Sequence, residues 1–193
     1  MALTATMYHL QVALSDVDRG VYEALDLRLA RHPSESERYL LTRLLAYCLS
    51  YEEGIAFSKG GLSSASDAPI TVTDPTGALL AWIDIGSPSA ERLHKASKLA
   101  PRVSLFTAAD LPSLRREAAS RPVHKLADIE VWQLAPSFLD ALAERVDRNT
   151  KLEIVRNDGH LYVTIAAGGR AGASSDVLEG TITRVSLLSP EGA

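Results

Sequence analysis

Apolar and polar residues trade places along positions 3–14, with Leu3, Ala5, Met7, His9, Gln11 and Ala13 on one side and Thr4, Thr6, Tyr8, Leu10, Val12 and Leu14 on the other. A period of two predicts a strand. Residues 15–20, Ser-Asp-Val-Asp-Arg-Gly, read as a connection. Residues 21–31 then alternate again, Tyr22, Ala24, Asp26 and Arg28 opposite Val21, Leu25, Leu27 and Leu29. The two segments predict an N-terminal β-hairpin. The period changes next. Leu41, Leu44, Leu45, Cys48 and Leu49 recur at helical spacing and mark a buried helix face. Ser34 as N-cap and Glu37 three residues later make a capping box, so a helix is expected from there to about residue 51.

A short strand is expected at 55–58 and a Gly/Ser-rich loop at 59–66. The centre of the chain is a second hairpin. Asp74-Pro75-Thr76-Gly77 is its turn: Asp caps the first position, Pro sets φ at the second, and Gly suits the fourth. Residues 78–85 are almost wholly apolar, as in a strand buried on both faces. If Thr73 faces Ala78, then Asp84 faces Asp67, and two carboxylates oppose one another. Such a pair destabilises a sheet unless a cation neutralises it, one acid is protonated, or the register differs. Mg²⁺ suits a site of this kind because it takes few carboxylates and keeps several waters. The competing reading leaves Asp67 in the preceding loop, away from Asp84.

Ser89 caps a helix through about Leu99 that carries Arg92, Lys95 and Lys98 on adjoining turns. These cations either form a solvated basic face or, through Lys95, reach back toward Asp84. A strand at 102–107 follows. The strand–helix–strand order predicts a right-handed crossover and parallel pairing with the Asp84 strand. Helices are expected at 110–119 and 136–146, strands at 129–134 and 181–188, and a mobile loop at 168–175. Asn157-Asp158-Gly159-His160 marks a hairpin between strands at 152–156 and 161–166. With no internal repeat, this predicts one α/β domain over 1–193 with a mixed sheet flanked by helices.

Composition narrows the function. Hydrophobic residues make up 46% of the chain, and mean hydropathy is +0.02, as in a globular protein with a full core. No apolar run reaches the ~20 residues of a membrane helix. One cysteine, Cys48, permits no internal disulfide, and no signal peptide is evident; both suit the cytoplasm. The net charge of −4 lacks the basic footprint usual for nucleic-acid binding. No Gly-x-Gly-x-x-Gly or Walker motif follows a strand, no His-x-x-x-His pair occurs, and no Gly-x-Ser-x-Gly elbow is present.

Several stretches together resemble one family. They are Leu29-Ala-Arg-His-Pro-Ser-Glu35, Leu41-Thr-Arg-Leu-Leu-Ala46, Leu80-Ala-Trp-Ile-Asp-Ile-Gly-Ser-Pro88, Arg92-Leu-His-Lys-Ala96 and Val131-Trp132, with the opening Met-Ala-Leu. They resemble the YaeQ family of bacterial proteins, and the likeness runs through about residue 148. That family is similar in fold to the PD-(D/E)XK nuclease-like superfamily, in which a helix acid, a hairpin Asp and an acid-x-Lys motif surround Mg²⁺. The resemblance implies that Glu35 is the helix acid and Asp84 the acid of the third motif, where Glu is usual. Gly86 stands at the lysine position, which makes Lys95 a migrated substitute. Asp67 fills the second-motif position only with a one-residue shift; otherwise Pro69 stands there.

Two functions follow from that likeness. In the first, Glu35, Asp67 and Asp84 hold Mg²⁺ or Mn²⁺, Lys95 stabilises developing charge, Arg92 and Arg43 position phosphate, and the protein is a metal-dependent phosphodiesterase. In the second, the same shape is a catalytically inactive module that binds nucleic acid or a protein partner, since fold does not imply activity. A third possibility is an inert structural cluster. Glu35 also has a purely local role open to it, as an acid offsetting the dipole at the helix start.

Overall fold

The computed structural model describes residues 5–58, 67–166 and 175–188. The loop expected at 59–66 and nearly all of that expected at 168–175 lie outside the described residues. The N-terminal hairpin is as expected, with a shorter connection. β1 (Thr6–Asp16) and β2 (Val21–Arg31) pair antiparallel along their whole length, from Thr6 opposite Arg31 to Asp16 opposite Val21. The inner row, Leu10, Val12, Leu14, Leu27 and Leu29, is buried.

α1 (Glu37–Leu49) begins later than the capping box at Ser34 predicts. Ser36 is the N-cap, accepting from the Tyr39 amide at 3.1 Å, while the Ser34 hydroxyl is taken by the His32 ring at 2.6 Å. Leu40, Leu41, Thr42, Arg43, Leu44, Leu45 and Ala46 are all buried in succession. A helix buried all round is one enclosed by protein, rather than one resting on a sheet by a single stripe.

The remaining elements are β3 (Ile55–Phe57), β4 (Ile70–Thr73), β5 (Leu79–Ile85), α2 (Ala90–Leu99), β6 (Arg102–Thr107), α3 (Leu111–Ala118), β7 (Glu130–Leu134), α4 (Pro136–Ala143), β8 (Asn149–Asn157), β9 (His160–Ile165) and β10 (Asp176–Val185). They form one ten-stranded mixed sheet in the order β2-β1-β8-β9-β10-β7-β6-β5-β4-β3. β5 and β6 run parallel, as the crossover predicts; β6 and β7, and β1 and β8, are parallel as well. The Asp158-Gly159 turn has φ of 50° and 74°, the geometry a two-residue hairpin favours.

β10 carries the sheet round a corner. Residues 176–181 pair with β9, and residues 182–185 pair with β7. The sheet therefore curls into a nearly closed barrel about α1. One core joins α1 to Leu10 and Val12 of β1, Ile154 of β8, Ile83 of β5 and Phe106 of β6. A second core, with Trp82, Leu93, Leu105, Leu114 and Val131, lies under α2 and α3 on the outer face. No helix among the described residues is long and apolar enough to cross a membrane.

The central hairpin differs from expectation in register. Ile70 pairs with Ile83, Thr71 with Trp82 and Val72 with Ala81, and a bulge then sets Thr73 against Leu79. The same count carried outward brings Pro69, not Asp67, level with Asp84. The cause is the turn. Asp74 Oδ1 accepts from the Thr76 and Ala78 amides and from the Thr76 hydroxyl, which holds Ala78 inside the loop.

Candidate functional site

Asp84 is the next-to-last residue of β5, buried like Ile85 after it, at the carboxyl end of the parallel strands β5 and β6. Trp82 lies two residues earlier and so on the same face. Its indole Nε1 donates to Asp84 Oδ2 at 3.1 Å. Arg92 Nε donates to the same oxygen at 2.6 Å, and the Ile85 amide donates to Oδ1 at 3.2 Å. Arg92 stands in the first turn of α2 because Ser89 caps that helix, as the sequence predicts. Its guanidinium carbon is 5.5 Å from the Trp82 ring centroid, and its Nη2 donates to the Asp67 carbonyl at 2.8 Å. Asp67 thus joins the site through its backbone. Lys95, three residues after Arg92 and exposed, places Nζ 6.0 Å from the Trp82 ring centroid.

Glu35 lies just before α1 and is 3% exposed. Its Oε2 accepts from the His32 amide at 3.1 Å and from Arg43 Nη2 at 3.3 Å, with Oε1 3.1 Å from the same nitrogen. Arg43 is itself buried and also donates to the Ala30 carbonyl at 2.8 Å. Burial pushes the Glu35 carboxyl above its ordinary value, against the opposing pull of Arg43. Of the six residues expected at the site, Glu35 and Arg43 therefore form one ion pair. Asp84 and Arg92 form another, with Lys95 over the same indole as Arg92 and Asp67 contributing a carbonyl.

Tyr39, which sequence reasoning missed, lies within electrostatic reach of both pairs. Burial first, and the Asp84 charge second, push its hydroxyl up to about 12. Its spacing was a usable signal, since Tyr39 and Arg43 are four apart on one helix and share a face. The Tyr39 ring also packs against Gly86, 3.7 Å from where a β-carbon would stand. Gly86 has φ of +83°, so a lysine at this position would be strained.

Among the described residues no group of three or more His, Cys, Asp or Glu side chains is placed to hold a metal ion. Asp84 and Glu35 each face a guanidinium instead.

The other mouth of the barrel holds a second polar cluster, whose Arg19 and Arg156 line a cavity of about 120 Å³. Asp16, fully buried, sits with Oδ2 3.9 Å from Arg19 and 3.7 Å from Arg156. Arg19 also donates to the carbonyls of Leu49 and Tyr51 at the end of α1, at 2.9 and 3.0 Å. Arg156 stands 2.9 Å from Asp18 and 5.1 Å from the Trp132 ring centroid.

A family model described as YaeQ protein matches residues 1–171. The chain belongs to the YaeQ family. It is 32% identical over 168 residues to the uncharacterized protein YaeQ of Escherichia coli K12, spanning 85% of this chain and 91% of that protein. It is 31% identical over 170 residues to the YaeQ protein of Salmonella typhi, also described as uncharacterized, spanning 86% and 92%. The fold matches the crystal structure of YaeQ from Pseudomonas syringae with a TM-score of 0.80 at 29% identity, over 94% of this chain and 96% of that one. YaeQ from Xanthomonas axonopodis pv. citri matches with a TM-score of 0.80 at 26% identity, over 95% and 99%. The sequence match to the YaeQ model stops before β10, the strand that turns the corner of the barrel, whereas both structural matches span nearly the whole of each chain.

Proposed function

We propose that this YaeQ chain is a non-catalytic binding module of nuclease-like shape that meets an anionic partner, a nucleic-acid backbone, through α2. The observation that carries this reading is charge pairing. The two acids that a PD-(D/E)XK-like site would offer to Mg²⁺ are each neutralised by an arginine, Asp84 by Arg92 at 2.6 Å and Glu35 by Arg43 at 3.1 Å. Those pairs fix the shape of the mouth. The exposed cations Lys95 and Lys98 lie on adjoining turns of α2 and supply the contact with phosphate.

A second reading is a Mg²⁺-dependent phosphodiesterase. It is favoured by Glu35 Oε1, which is buried and accepts no hydrogen bond. A bound Mg²⁺ would supply phosphate polarisation and an activated water. Lys95 would steady the charge that develops on the phosphate.

Calorimetric titration of Mg²⁺ and Mn²⁺, and of a labelled oligonucleotide, separates the two. The binding-module reading expects no metal heat. It also expects oligonucleotide affinity to fall with salt, with the log–log slope reduced by about one for each of Lys95→Ala and Lys98→Ala. Metal heat present in the wild type and lost in Asp84→Asn would replace it with the phosphodiesterase. Absence of oligonucleotide binding would remove nucleic acid as the partner.

A further inference from the structure

β2 lies at the end of the sheet order, and among the described residues it pairs only with β1. Eleven residues of it run without a bulge in the pairing with β1. Its outer edge is a template for another strand. The strand carries four charges, Glu23, Asp26, Arg28 and Arg31. Acids lie in its first half and bases in its second, a pattern that reads differently once the strand meets its own copy.

Two copies related by a two-fold axis pair antiparallel, with residue numbers adding to a constant even value. A total of 54 puts Leu27 on the axis. Asp26 then faces Arg28 twice, Glu23 faces Arg31 twice, Leu25 faces Leu29 and Ala24 faces Ala30. The neighbouring registers lack this match. A total of 52 sets Asp26 against its own copy, and 56 sets Arg28 against its own copy. Directly opposed like charges destabilise a sheet, and opposite charges support it. The faces agree as well. Leu27 and Leu29 are buried and Leu25 half-buried on the inner face, whereas Asp26 and Arg28 are exposed on the outer one. Arg31 already serves Glu37 at 3.3 Å and the Glu35 carbonyl at 2.9 Å, so the Asp26–Arg28 pair is the one that decides register.

We propose that β2 pairs with β2 of a second copy in the register centred on Leu27, which joins two barrels through one continuous sheet. Sedimentation equilibrium at high micromolar concentration tests this. The wild type is expected to dimerise. Asp26→Arg alone and Arg28→Asp alone should each raise the dimer dissociation constant roughly tenfold or more, because each sets like charges opposite one another. An equimolar mixture of the two single variants should regain the dimer as a mixed species, and the double swap Asp26→Arg/Arg28→Asp should regain it alone. Asp26 is 63% exposed and its contact with His9 is a surface one, so circular dichroism should show both variants folded. A wild-type monomer would overturn the proposal. So would a dimer that either single variant leaves intact, or one that the mixture fails to restore.

Discussion

Asp84 accepts from three donors while only 2% exposed, so its removal takes an acceptor from groups in a buried place. Asp84→Ala leaves the Trp82 indole N–H without this acceptor in a buried place and takes the partner from Arg92. Breaking a fully buried pair costs about 3–5 kcal/mol. Arg92 is 21% exposed and regains some water, so the expected loss is about 2–4 kcal/mol, read as a shift in the urea midpoint. Asp84→Asn keeps the shape and one acceptor and should lose less, about 1–2 kcal/mol. Lys95→Ala, on the surface, should stay within about 0.5 kcal/mol. A midpoint for Asp84→Ala no lower than that for Lys95→Ala would mean that the Asp84–Arg92 pair does not hold the mouth. At this scale the sequence was readable where a residue type was costly in its setting. An acid near the end of an apolar strand had to find a partner, and the sequence offered Lys95 or a metal for it; the structure gives Arg92, three residues earlier on the same helix. Tyr39 was missed although its four-residue spacing to Arg43 was a signal, because an aromatic in a first turn is equally at home in any core.

Elements were legible where their signals were local, and misplaced where side chains decided between neighbours. Ser89, the Asp74 turn and the Asp158-Gly159 turn acted as their chemistry requires. Ser34 was the expected cap, but its hydroxyl meets the His32 ring, and Ser36 caps the helix instead. The β4–β5 register depended on a bulge that no alternation pattern announces. Beside that hairpin the chain also runs close to itself. Gly54, ahead of β3, has φ of +84°, and a β-carbon there would stand 1.9 Å from the Thr73 carbonyl oxygen. The Thr73 amide donates to the Gly54 carbonyl at 3.1 Å, so neither strand can retreat without losing that bond. Gly54→Ala is therefore expected to cost about 3 kcal/mol and to loosen β3 and β4 before the rest. Amide hydrogen exchange would show this as faster exchange at Ile55–Phe57 and Ile70–Thr73, with β8 and β9 unchanged. Uniform loss of protection would place the strain elsewhere.

The curl of the whole sheet could not be read from the chain. It arises where β10 divides its pairing between β9 and β7 and where α1 is buried all round, and both are facts of long-range contact. Closing the barrel has a cost at its second mouth, where Asp16 is sealed between the ends of β1 and β8. Burial raises its carboxyl above the ordinary aspartate value of 3.8, despite the pull of Arg156 and Arg19. The sign follows by linkage. A raised folded-state value means that the proton favours the native form. The stability it confers is fully present below 3.8 and is lost as pH rises through the folded value. Asp16→Asn cannot ionise and avoids that loss. It also strands no cation, because Arg156 keeps Asp18, Arg19 keeps two carbonyls, and the Asn oxygen can still accept from the Arg19 amide. The variant should therefore melt at a higher temperature than the wild type near neutral pH, with the gap closing as pH falls toward 3.8. A variant less stable at neutral pH would show that the Asp16 charge ties β1, α1 and β8 together, and that the barrel is closed by attraction at this mouth rather than in spite of a buried acid.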